Sequence, residues 1–144
     1  MHGRVAFLPN VRVSLKTARK QVLPISPQTV GDHIRLRRLQ LGLSQPKLAA
    51  IIGVDPNTVL NWEKCYSPIK EAAHYGAVCL FLGYNPEPEP LTFGARMRWK
   101  RREIGWRAED VARYLQIDIA TLRQWELRTK WPRYRRYQDL VVLC

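Results

Sequence analysis

The chain repeats itself, and that constrains its fold more than any other feature. Sliding the sequence by 63 positions superimposes GDHIRLRRLQLGLSQPKLAAIIGVDPNTVLNWEK, beginning at Gly31, on GARMRWKRREIGWRAEDVARYLQIDIATLRQWEL, beginning at Gly94, without a gap. Identical residues fall at Gly31/Gly94, Arg35/Arg98, Arg38/Arg101, Gly42/Gly105, Ala49/Ala112, Asp55/Asp118, Thr58/Thr121, Trp62/Trp125 and Glu63/Glu126. Apolar positions correspond as well, from Ile34/Met97 and Leu48/Val111 to Val59/Leu122. A unit used twice in 144 residues leaves about 50 to 60 residues per copy, enough for a small helical domain whose core is marginal alone.

Within the first copy the apolar residues Ile34, Leu41, Leu48, Ala49, Ile52, Val59 and Trp62 recur at helical spacing in three short segments. The pattern predicts a first helix from about Val30 to Leu41, stopped by Gly42. Ser44 is a good N-cap for a second helix, with Pro46 in its first turn and Gly53 at its end. Asp55 caps a third helix that opens on Pro56, and a fourth follows Ser67-Pro68, running through Ile69 to about Leu82. The same events predict helices near Phe93–Ile104, Ala108–Leu115, Ile119–Leu127 and Arg133–Leu143 in the second copy.

Two helices joined through Gly53-Val54-Asp55, with the small Ala49 where they must approach, form a helix-turn-helix. The stretch LGLSQPKLAAIIGVDPNTVLNWEK resembles the Cro/repressor (Xre-type) helix-turn-helix family, over about Val30–Leu82 and, less closely, Gly94–Cys144. The resemblance implies an all-α chain of two tandem lambda-repressor-like helix-turn-helix domains. Their boundaries are expected at 29–84 and 92–144, after a basic N-terminal arm at 1–28 and across a proline-rich linker at 85–91. The arm reads either as a small hairpin about Pro9-Asn10 or as a partly disordered segment. Alternating prolines in Asn85–Pro90 predict an extended, semi-rigid polyproline II spacer, and about ten such residues at roughly 3.1 Å each would span on the order of 30 Å.

In this motif the third helix enters the major groove with its N-terminal residues toward base edges. Turning that helix so that Val59 and Trp62 face the core leaves Pro56, Asn57, Leu60 and Asn61 outward. Asparagine can pair bidentately with adenine, so Asn57 and Asn61 are the expected base readers, with Pro56 and Thr58 close by. The family adds Gln45, which implies a brace for a phosphate or for a side chain of the third helix. The equivalents in the second copy are Ile119, Ala120, Arg123 and Gln124, with Thr121 near the cap. Arg123 suits a guanine edge, and Arg107, Arg128 and Lys130 suit phosphates. Arg38 with Glu63, and Arg101 with Glu126, recur at one spacing and are read as structural ion pairs tying the first helix of each unit to the end of its third. The run Trp131–Tyr137 reads equally as a backbone clamp or as an amphipathic helix with a wet basic face.

The sequence also departs from the family. Cys65 and Arg128 stand where glycine commonly lets the chain leave the third helix, and Gln116 replaces Gly53. Ala108 stands where the first copy has Gln45, so the departure bears on base reading by the second copy more than on its fold.

Charge agrees with a polyanionic partner. The net charge is +12, with +7 on residues 94–144 and only +2 on residues 31–82. Cys65, Cys79 and Cys144 show no pairing or zinc spacing, the three histidines are scattered, and no phosphate loop or nucleophile motif emerges. These readings predict a non-enzyme with no cofactor and no metal, acting in the cytoplasm and on the nucleoid when DNA-bound. Double-stranded DNA is the expected partner, and a homodimer or a protein partner is left open. No membrane and no small-molecule substrate are implied. The leading expectation is a transcriptional regulator. An antitoxin-like interaction module that also binds its promoter, and general nucleic-acid packaging, are the competitors.

Overall fold

The computed structural model describes residues 26–128. The N-terminal arm, Lys130, the run Trp131–Tyr137 and the helix expected over Arg133–Leu143 lie outside the described residues. Within them the chain is all-helical: α1 (Val30–Gln40), α2 (Gln45–Ile52), α3 (Pro56–Glu63), α4 (Ala72–Leu82), α5 (Phe93–Glu103), α6 (Ala108–Leu115) and α7 (Ile119–Glu126).

Caps set these boundaries. Thr29 and Asp32 form a reciprocal capping box on α1, in which the Thr29 hydroxyl accepts from Asp32 N–H at 3.1 Å and the Asp32 carboxylate accepts from Thr29 N–H at 3.0 Å. The Thr29 hydroxyl also holds the Asp32 carboxyl below its usual value. Ser44 caps α2 by accepting from Lys47 N–H, and Gly53 ends it in the left-handed region. Asp55 caps α3 through Asn57 N–H at 2.8 Å, and Asp118 caps α7 through Ala120 N–H at 2.7 Å.

The first core gathers Ile34, Leu48, Ala49, Ile52, Val59 and Trp62 from α1–α3 and closes them with Ile69, Tyr75, Val78, Cys79 and Leu82. A second cluster is smaller: Phe93, Met97, Val111, Ala112 and Leu122, with Trp106, Leu115, Ile117, Ile119 and Trp125 partly buried around it. Both units bring their first helix against the last turn of their third. A Cβ on Gly31 would sit 2.1 Å from the Trp62 carbonyl oxygen, and one on Gly94 would sit 2.4 Å from that of Trp125. This close backbone approach is why glycine stands at both positions.

Two features differ from the sequence expectation. α4 starts at Ala72 rather than at Ile69, because Glu71 is extended and Ile69 is buried as an anchor ahead of the helix. The proline-rich segment does not hold the units apart. α4 packs directly on α5, and a Cβ on Gly76 would come within 2.5 Å of the Gly105 Cα. Its prolines remove donors as expected, but its other residues are tied down by side chains. Tyr75 Oη donates to Asn85 Oδ1 at 2.7 Å, Trp99 Nε1 donates to the Glu87 carbonyl at 3.0 Å, and Arg96 pairs with Glu89.

Candidate nucleic-acid interface

α3 is two turns long, and the core claims one side of it. Val59 and Trp62 are buried, and so is the Glu63 carboxylate. The opposite edge carries Pro56 and Asn57, both exposed, with Thr58, Leu60 and Asn61 half-buried beside them. Pro56 needs no donor at the first helical position, and Asp55 has already taken the Asn57 N–H. The Asn57 side chain is therefore left to solvent at the helix start.

Behind that edge lies a polar brace. Arg38 Nε donates to Glu63 Oε1 at 2.6 Å and Arg38 Nη2 to Glu63 Oε2 at 2.8 Å, a two-pronged arrangement that fixes the plane of both groups. Arg38 Nη1 donates to the Leu43 carbonyl at 2.9 Å, so the same guanidinium also holds the turn before α2. Gln45 Nε2 donates to Glu63 Oε2 at 2.9 Å. Gln45 thus sits against a side chain of α3 and links the start of α2 to the end of α3.

A groove of about 430 Å³ opens beside this brace, lined by Arg35, Ser44, Gln45, Pro46 and Lys64 around the Arg38–Glu63 pair. Two cationic side chains and the N-terminus of α2 face one space, a combination that favours an anion. Arg35 and Lys64 were not singled out from the sequence. The signal available was Arg35/Arg98, one of the identical pairs in the repeat.

The α5–α7 unit carries the same brace in a more open form. Arg101 Nε donates to Glu126 Oε1 at 2.6 Å, Nη2 to Oε2 at 3.0 Å, and Nη1 to the Trp106 carbonyl at 3.1 Å. These residues are half-buried rather than buried. Ala108 offers nothing like the Gln45 bridge. The exposed edge of α7 carries Ala120, Arg123 and Gln124, with Thr121 half-buried. Ile119 is partly buried against the second core, which limits what its side chain can reach. Arg107 is exposed, with Nε 3.6 Å from Asp110 Oδ2, and Arg128 is exposed beyond the end of α7.

The chain leaves the two third helices differently. Cys65 takes the left-handed conformation that glycine would take more easily, with φ 57°, and its thiol donates to Thr29 Oγ1 at 3.3 Å. Arg128 does not take a left-handed conformation, and its carbonyl accepts from Gly94 N–H at 3.0 Å. Gln116, in the place of Gly53, keeps the left-handed turn at φ 53°.

Among the described residues no cluster of histidine, cysteine and carboxylate side chains could hold a metal ion. No described helix is long and apolar enough to cross a membrane. No curated protein and no solved structure matches the chain. The helix-turn-helix family model matches residues 34–70, from within α1 to the segment before α4, so the α2–turn–α3 brace and its exposed edge lie inside a recognised helix-turn-helix.

Proposed function

We propose that the protein is a sequence-specific DNA-binding regulator of transcription, with two tandem helix-turn-helix domains, that reads the major groove with α3. In this reading Asn57 and Asn61 contact base edges, Pro56 and Thr58 lie against them, and Arg35 and Lys64 hold the phosphate backbone beside α2. The observation that carries it is the pairing of an exposed α3 edge with a buried brace. Arg38, Glu63 and Gln45 make α3 rigid from behind, as a helix that reads base edges must be. The cationic groove beside the brace supplies the sequence-independent grip.

In the second domain Arg123, Gln124, Thr121, Ala120 and Ile119 form the corresponding edge, and Arg107, Arg128 and Lys130 serve phosphates. Arg123 is its strongest base-reading candidate, being exposed and able to form two hydrogen bonds to guanine. The strongly positive second half of the chain adds affinity whether or not it reads sequence.

The test is selection of preferred sites from a random pool of duplex DNA, with the full chain and with Asn57→Ala/Asn61→Ala. The reading expects a defined motif for the unmodified protein, and residual salt-sensitive binding without that motif for the double variant. Sequence-blind binding by the unmodified protein would overturn it.

A further inference from the structure

Arg102, in the last turn of α5, faces the first unit and meets three groups at once. Its Nη1 lies 3.0 Å from Glu87 Oε2 in the proline-rich segment, and its Nη2 donates to the Ile69 carbonyl at 3.2 Å. Its Cζ lies 4.1 Å from the centre of the Tyr75 ring on α4. Tyr75 is itself fully buried in the first core and hydrogen-bonded to Asn85. One side chain of the second unit therefore grips the chain before α4, the helix α4 and the segment after it. Alongside, Gly76 and Gly105 let the two backbones touch, with no room for a Cβ on Gly76. Two of the contacting side chains depart from the repeat, with Leu39 standing where α5 has Arg102 and Leu36 where it has Trp99, whereas Gly105 matches Gly42.

We infer that the Arg102 clamp and the Gly76–Gly105 contact lock the two units at one orientation, so that the protein recognises two half-sites at a single fixed spacing. Arg102 and Gly76 are then specificity-determining positions that touch no base. This rests on both units binding DNA, as proposed above. The recognised site is asymmetric and bound by one chain, because α3 and α7 present different side chains. A spacing read by a locked pair has no second solution one helical turn away, since the units cannot separate to reach it.

The test uses the full chain and the two-part site obtained by selection. Inserting or deleting one base pair between the halves is expected to weaken binding by about tenfold or more, and inserting ten should not restore it. Gly76→Ala, which favours the α4 helix while forcing a methyl group onto the Gly105 backbone, should relax this dependence to under about threefold. Arg102→Leu should do the same, with the single-half affinities unchanged. A separate measurement needs no DNA: spin labels at Ala50→Cys and Arg113→Cys, with Cys65 and Cys144 replaced by serine, report the distance between units. A single narrow distribution that broadens in Gly76→Ala supports the lock, and a broad distribution in the unmodified sequence overturns it. Tolerance of several spacings by the unmodified protein also overturns it. Failure to select any motif would instead sink the DNA-reading proposal, while the label distances still decide the lock.

Discussion

The Arg38 guanidinium meets the Glu63 carboxylate through two nitrogen–oxygen contacts of 2.6 and 2.8 Å, and both side chains are almost fully shielded from water. Two opposite charges in that setting stabilise the fold only as a pair. Each alone would lose most of its hydration with no compensating partner.

Glu63→Ala strands the guanidinium and also releases Gln45, so its expected cost is about 3–5 kcal/mol. Glu126→Ala should cost less, because the Arg101–Glu126 pair is more open and carries no glutamine bridge. Thermal unfolding followed by circular dichroism checks both. Equal melting temperatures for Glu63→Ala and the unmodified chain would rule out a structural role for the pair.

The groove beside α2 predicts how binding responds to salt. Lys64→Ala and Arg35→Ala each remove one cation from it and leave the α3 edge untouched. Binding should weaken about equally on all duplex sequences, and the slope of log affinity against log salt should fall by about 1 for each variant. Titrations at several salt concentrations, on a selected site and on random DNA, measure this. A change confined to one sequence would show that these side chains read bases instead.

Much of the first unit was legible because its boundaries are written in residues with one mechanical use each. Ser44, Asp55 and Gly53 act locally, so the helices they bound fall where the spacing predicts, within a residue or two. The partners Arg38 and Glu63 were legible only because the repeat shows the same pair again at Arg101 and Glu126. The role of Glu87 was not. Its neighbours Pro86 and Pro88 announce a stiff backbone, and stiffness by itself points to separation. Whether such a segment spans a gap or lies along a surface depends on Arg102 and Trp99, which stand 15 and 12 residues away. The start of α4 was obscured in the same way: Ile69 fits a helical apolar pattern, yet its carbonyl is taken by Arg102 and its side chain is buried before the helix begins.

Backbone conformation gives a third prediction. Gln116 is exposed and held at φ 53°, where a side chain costs about 1–2 kcal/mol relative to glycine. Gln116→Gly removes that strain at the expense of a more flexible unfolded chain, so the net gain should be about 0.5–1 kcal/mol. Cys65→Gly should gain less, because it also gives up the thiol's hydrogen bond to Thr29. Denaturant midpoints order the two variants, and a destabilised Gln116→Gly would contradict the left-handed assignment.

The two described cysteines should differ sharply in reactivity and in their effect on alkaline stability. Cys65 is exposed, whereas Cys79 is buried in the first core, and burial, followed by the charge of Glu103, pushes its thiol up to about 11 from an ordinary value of 9.0. Burial raises the Tyr75 hydroxyl as well, with the charge of Glu87 adding to it. At pH 8 an alkylating reagent should therefore modify Cys65 quickly and reach Cys79 only on unfolding, as peptide mass mapping would reveal. Between pH 9 and about 11 the unfolded chain gives up the Cys79 proton while the folded chain keeps it, so the folded state binds more protons and stability must fall as pH rises. Below pH 9 both states hold the proton and this contribution is fully present. Urea midpoints at pH 8 and pH 10.5 should drop in the unmodified chain, and drop less in Cys79→Ala, which has no thiol to titrate. An equal drop in the two would mean that Cys79 does not govern this alkaline loss.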